Sequence, residues 1–264
     1  MDLGIEGRVC VVTGASRGIG LEVARMLCAE EARVLLVARD TARLEAAAAE
    51  CAAVGGETAV LAVDVTAGDA GERMTGAARD AFGDPDVLVN NAGSARSRDL
   101  DEVPEADWYA AWELNVMAPM RAMRAVAPRM AERGWGRIVN VASSAAKRPS
   151  ANMPEYSVAK AAELSLSRLF ADRYAGRGVL VNAVCPGPTA SELWMADGGL
   201  LDQSRAEGQD REEALDAAAA KRPIGRLADV GEVAAAIVFL CSERAGYVAG
   251  SAWSVDGGTV QVII

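Results

Sequence analysis

Val9-Cys10-Val11-Val12-Thr13-Gly14-Ala15-Ser16-Arg17-Gly18-Ile19-Gly20 passes from a β-branched segment of strand length, through a glycine-rich turn, into residues 19–30, which have helical spacing. Glycines at such a turn let the backbone approach a ligand closely. The helix that follows offers unpaired N–H groups and the positive end of its dipole. This is where a dinucleotide's pyrophosphate sits, and it predicts cofactor contacts from Gly14, Ser16, Arg17, Gly18, Ile19 and Gly20. The spacing is Gly-x-x-x-Gly-x-Gly, and its place between an N-terminal strand and a helix gives it meaning.

Outward from the turn the same rhythm repeats. Apolar runs of strand length lie at Val9–Val12, Val34–Val37, Ala59–Val63, Val87–Val89, Ile138–Val141, Val179–Val184 and Ala252–Val255. Helical stretches separate them at Ile19–Glu30, Thr41–Ala53, Ala70–Phe82, Trp108–Arg133, Tyr156–Tyr174 and Val230–Cys241. Continuous rather than alternating apolar strands mark a sheet covered on both faces. The prediction is an α/β fold: a Rossmann-type doubly wound three-layer sandwich with a seven-stranded parallel sheet. Residues 189–228 break the rhythm and read as a small helical lid on a single dinucleotide-binding domain spanning residues 1–264.

Composition narrows the function. The 264 residues are 51% hydrophobic and carry a net charge of −10. An acidic chain is a poor partner for nucleic acid or an anionic membrane. No basic leader and no membrane-length apolar run is expected. Five scattered cysteines without Cys-x-x-Cys spacing predict free thiols and a cytoplasmic location. There is no histidine, which rules out Ser-His-Asp hydrolysis and a histidine-ligated metal site, and no metal is expected.

At the end of the second strand stands Val37-Ala38-Arg39-Asp40. Folds that prefer NAD place an acid here for the ribose 2′-hydroxyl, whereas arginine accommodates a 2′-phosphate. Ala38 takes the place of the acid, Arg39 follows, and Arg17 is within reach. NADP(H) is the expected cofactor, with NAD(H) as the weaker alternative.

Proton chemistry is read from Tyr156 and Lys160. The chain has 24 arginines but only three lysines, Lys147, Lys160 and Lys221, and one of the three follows a tyrosine at i+4. On a helix those two side chains share a face. A phenol ordinarily titrates near ~10, and a neighbouring cation favours its phenolate.

With Asn90-Asn91-Ala92-Gly93, Asn115, Ser143 thirteen residues before Tyr156, and Pro186-Gly187, the chain resembles the short-chain dehydrogenases/reductases from end to end. It resembles their single-domain Tyr-x-x-x-Lys members, among them those of the 3-oxoacyl carrier-protein reductase kind. The resemblance implies a carbonyl–alcohol oxidoreductase. Tyr156 would exchange the proton. Lys160 would favour the phenolate and hold the nicotinamide ribose. Ser143, with Ser144 as its neighbour and competitor, would bind the substrate oxygen. Asn115 would hold a relay water, or else serve as a helix-kink amide. Asp64 and Val65 would lie against the adenine, Asn91, Ala92 and Gly93 against the cofactor's middle, and Pro186 and Gly187 against the nicotinamide. The family's threonine after that turn is replaced here, so its role passes to Ser191, with Thr189 as backup.

The substrate is read only coarsely. A 3-oxoacyl thioester is the leading expectation, with Arg133 and Arg177 placed where relatives meet carrier proteins. A sugar, steroid or other small alcohol is the alternative, and a non-catalytic NADP-binding homologue is another. The apolar trio Leu193, Trp194 and Met195 is expected in the lid. Small residues on the long helices (Ala122, Ala125, Ala159, Ala161, Ala162) predict close packing in a homotetramer, with the apolar tail Val260–Ile264 crossing an interface.

Overall fold

The computed structural model describes residues 2–205 and 208–261. The chain runs β1 (Val9–Thr13), α1 (Gly18–Ala29), β2 (Arg33–Ala38), α2 (Thr41–Ala52), β3 (Glu57–Ala62), α3 (Ala70–Ala81) and β4 (Val87–Asn90). It continues through α4 (Glu105–Trp112), a π-helical turn (Glu113–Met117), α5 (Ala118–Arg133), β5 (Gly136–Val141), α6 (Ser144–Lys147), α7 (Pro154–Tyr174) and β6 (Val179–Pro186). The short helices α8 (Glu192–Met195), α9 (Leu200–Gln203) and α10 (Arg211–Ala220) precede α11 (Val230–Cys241) and β7 (Ala252–Val255).

The seven strands form one sheet in the order β3-β2-β1-β4-β5-β6-β7, with every pair parallel. Its strands read as unbroken apolar runs because both faces are covered. On one face Val12, Leu36, Val89 and Val184 pack with Val23 and Leu27 of α1, Leu44 of α2 and Ile237 of α11. On the other, Val11, Leu35, Leu88 and Ile138 pack with Met74 of α3, Met123 and Met130 of α5 and Ala171 of α7. The chain steps outward from β1 to β2 and β3, then crosses back to lay β4 on the other side of β1. That reversal opens a crevice at the carboxyl ends of the central strands, where such folds bind ligands.

One expectation is corrected. Residues 108–133, read as a single helix, form α4, the π turn and α5. Pro119 has no N–H for the carbonyl of Asn115, and its ring crowds that carbonyl, so the regular ladder cannot pass. The wide turn that results is centred on Asn115, and such turns recur at functional sites. The expected tail packing concerns Val260–Ile264, of which residues 262–264 lie outside the described residues. Residues 189–228 hold the short helices α8, α9 and α10, and the chain after α10 leads to Ala228, which bridges back to Thr189.

Candidate active site

The glycine loop is clamped to the end of β4. Thr13 Oγ1 accepts the N–H groups of Asn91 and Ala92 at 2.9 and 3.1 Å. The Asn91 amide donates back to Thr13 O and Gly14 O at 3.0 and 3.3 Å. Asn91 therefore spends its side chain on holding the loop. A Cβ on Gly20 would stand 2.4 Å from both Gly14 O and Asn91 Nδ2, so only glycine permits this closure. Gly18 has φ +56°, in the left-handed region that glycine alone enters freely. Arg17 precedes α1 without a side-chain cap, and the first turn holds no acid. Ser16, Gly18 and Ile19 line a cleft of about 1370 Å³. A bare helix end and a collar of glycines fit a pyrophosphate.

Ala38, Arg39, Arg43, Asp64 and Val65 wall the same cleft at the ends of β2 and β3. Asp64 Oδ1 accepts from the Thr66 N–H and hydroxyl at 2.9 and 2.7 Å, and these bonds hold its carboxyl below the usual range. Both bonds fall on one oxygen, which leaves Oδ2 for an adenine amine. Glu192 of the lid reaches across to Arg17 at 2.8 Å and to Arg43 at 3.1 Å. The Arg17 contact first, and Arg43 with it, holds the Glu192 carboxyl low. A carboxylate thus sits between the cations that a 2′-phosphate would take.

The proton-handling residues converge at the ends of β5, α7 and the π turn. Lys160 is almost fully buried. Its Nζ donates to Val141 O at 2.8 Å and to Glu163 Oε2 at 2.8 Å, and it lies 5.8 Å from the centre of the Tyr156 ring. Asn115 Nδ2 donates to Ala111 O at 2.9 Å, so its amide does brace the kink. Its buried Oδ1 has no partner. A methyl group on Gly93 would fall 3.5 Å from that Oδ1 and 3.9 Å from Lys160 Nζ, so both groups border one small space. Ser143 caps α6 by accepting from the Ala145 N–H at 3.1 Å. That bond uses an acceptor site and leaves the hydroxyl proton for a ligand oxygen. Ser143, Tyr156 and Lys160 all line the cleft, as does Ser144.

After β6, Gly187 N–H donates to Val255 O at 3.0 Å, and a Cβ on Gly187 would meet Asp256 Cα at 2.8 Å. Thr189 is buried and donates its hydroxyl to Gly187 O at 3.0 Å. That hydroxyl is thus engaged in the turn, and Thr189 and Ser191 both line the cleft. Of the lid trio, Leu193 and Trp194 line the cleft and Met195 does not. Arg133 bonds Pro85 O and pairs with Asp84 and Asp86. Arg177 just precedes β6. Both stand, in this chain, at the amino ends of the strands, opposite the cleft.

Three acids escaped the sequence reading. Glu155, next to Tyr156, is buried, lines the cleft and leaves Oε2 without a partner. Glu163, at i+3 from Lys160, looked like an ordinary helix-surface charge. Glu192 follows Ser191. Adjacency to the Tyr156–Lys160 pair was the available signal for the first two.

The model of the short chain dehydrogenase family matches residues 8–198. The chain is 38% identical over 260 residues to galactitol 2-dehydrogenase (L-tagatose-forming) of Cereibacter sphaeroides, covering 96% of this chain and 95% of that one. It is 34% identical to a 3-oxoacyl-(acyl-carrier-protein) reductase of Vibrio cholerae, covering 98% of this chain and 100% of the relative. Among solved structures, L-sorbose reductase from Gluconobacter frateurii, complexed with NADPH and L-sorbose, superposes with a TM-score of 0.93 at 37% identity and full coverage of both chains.

Proposed function

Because this chain belongs to the short-chain dehydrogenase family, it is an NADP(H)-dependent oxidoreductase of the carbonyl–alcohol couple, and we propose that its substrate is a polyhydroxylated ketone or the corresponding polyol. Glu155 carries this reading. Its partnerless buried oxygen is unfavourable until a donor reaches it. A substrate hydroxyl is such a donor, and an acyl chain is not. Ser94, Ser97 and Asn152 add polar groups to the same cleft. The net charge of −10 works against an acidic carrier protein, and Arg133 and Arg177 stand at the amino edge of the sheet, opposite the cleft. The galactitol and L-sorbose enzymes act on molecules of the proposed kind.

In this reading Tyr156 donates the proton to the carbonyl oxygen and Ser143 donates a hydrogen bond to the same atom, stabilising its developing charge. Lys160 holds the ribose hydroxyls, and Asn115 Oδ1 orients the relay to solvent. Bound NADPH supplies the hydride. The five cysteines are free and buried, which supports a cytoplasmic location. Ala122 and Ala159 are packed inside their own subunit and give no help to an oligomer. Tyr109 and Trp112 of α4 and Val158 and Leu169 of α7 are exposed instead. Those side chains support a homotetramer joined through these helices.

A steady-state panel with NADPH tests the substrate class: L-sorbose and L-tagatose against acetoacetyl thioesters, simple ketones and steroids. The ketoses are expected to lead. Glu155→Leu should raise their KM about tenfold while leaving a simple ketone unchanged, as expected for loss of one hydrogen bond. Turnover of the acetoacetyl thioester alone would replace this reading with the acyl reductase.

A further inference from the structure

The buried carboxylate of Glu163 has no part in the chemistry described so far. It lies at 1% side-chain exposure against a Lys160 at 3%, joined by a 2.8 Å contact. A charge is not placed in such surroundings without a counter-ion, and among the described residues Lys160 is the cation in contact with it. We propose that Glu163 is a positioning residue for the proton step: it aims the Lys160 ammonium and cancels much of its charge, so that little of that charge reaches the Tyr156 phenol.

The geometry supports both parts. An ammonium has three N–H donors in fixed relation. Glu163 takes one and Val141 O another, so the direction of the third is set. It remains for the ribose or the phenol. Glu163 also makes the pair close to neutral as Tyr156 sees it. An isolated ammonium at this range would favour the phenolate strongly, whereas a paired one does so weakly. Burial works against the Lys160 ammonium, but the Glu163 carboxylate and then the phenol outweigh it and hold the lysine above its ordinary range. Burial likewise holds the Glu163 carboxyl high, against the pull of Lys160.

Other titratable groups around the pair are few. Tyr156 lies on the same helix. Cys185 of β6 faces Lys160 and Glu163, and burial pushes its thiol up to about 11, so it is neutral where the enzyme works. Lys147 of α6 acts on Cys185. Val141 of β5 presents only a carbonyl, and Asn115 of the π turn only an amide. Glu163 is therefore the group that decides how much of the Lys160 charge reaches the phenol.

The inference rests on Tyr156 as proton donor, and its test separates the two. Tyrosinate absorbance of the apoprotein is titrated as a difference against Tyr156→Phe, in wild type and in Glu163→Gln. Removing the carboxylate charge leaves the ammonium uncompensated and favours the phenolate. Half-ionisation of Tyr156 is expected to fall by about one pH unit. The alkaline limb of ketose reduction should fall by the same amount, and so should the acid limb of polyol oxidation. Glu163→Asp, which restores the charge, should restore both. Glu163→Leu, should the amide not fold, carries the same expected shift. Unmoved ionisation in the variants that lack the charge would overturn the proposal and leave Glu163 a packing residue. An active Tyr156→Phe enzyme would strike instead at the proton donor, while the titration would still report on Glu163.

Discussion

Replacing Tyr156 by phenylalanine is expected to lower kcat for ketone reduction by about a thousandfold, within the range that one positioned acid contributes. NADPH affinity should stay within about threefold, because the ring remains and Tyr156 is one of many residues expected to touch the cofactor. The phenol hydroxyl is the only part removed. Phenylalanine fills the same half-buried site, so no cavity opens and the fold is untouched. No other group can take over. The chain has no histidine, and Lys160 has two of its donors engaged behind the phenol. The nearest carboxyl on the helix, Glu155, belongs to the substrate wall in the proposed reading. Steady-state kinetics paired with a fluorescence titration of NADPH separates the two effects. A fall in affinity with kcat preserved would assign Tyr156 to binding instead.

The second large effect concerns cofactor choice. Ala38→Asp combined with Arg39→Leu is expected to swing the ratio of kcat/KM for NADPH over NADH by about a thousandfold toward NADH. Arg39 is exposed at the end of β2 and lines the cleft. Losing its charge-assisted hydrogen bond to the 2′-phosphate removes roughly 1.5–3 kcal/mol. An aspartate at 38 repels that phosphate and accepts from the 2′-hydroxyl of NADH. Together these amount to about 4 kcal/mol, and each 1.4 kcal/mol is about tenfold. The swing is incomplete because Arg17 and Arg43 remain, shared in the free enzyme with Glu192. It should shrink as salt is raised, since exposed charges are screened. An unchanged ratio would mean that Arg39 is a solvated loop charge and that Arg17 and Arg43 read the phosphate alone.

Much of this was legible from the chain. Parallel strands buried on both faces are continuous β-branched runs, so β1, β2, β4, β5 and β6 announced themselves. The glycine loop was readable because Gly14, Gly18 and Gly20 each have a backbone or steric reason to be glycine. The break at Asn115 was read only as an alternative, a helix-kink amide, since the apolar pattern runs through it. Yet Pro119, four residues on, was the physical cause in plain view. The buried acids were harder. Glu155 and Glu163 sit at helix positions where a charge ordinarily means solvent, and only packing reveals that both face inward. Arg133 and Arg177 erred the other way. Their sequence neighbourhood suggested the entrance, but the end of α5 and the start of β6 lie at the amino edge of the sheet. Ser191 was read ahead of Thr189 as the hydroxyl near the nicotinamide, and the hydrogen bond from Thr189 to Gly187 agrees with that order.

The central claim is that this cleft moves a hydride from NADPH to a ketone carbon while Tyr156 supplies the proton. Single-turnover reaction of the wild-type enzyme with L-sorbose and NADPH deuterated at its transferable position tests it most directly. Deuterium is expected on the former carbonyl carbon of the polyol, with label transfer slowed about a thousandfold in Tyr156→Phe while the cofactor stays bound. Cofactor binding without label in any carbonyl product, or undiminished label transfer in Tyr156→Phe, would contradict it.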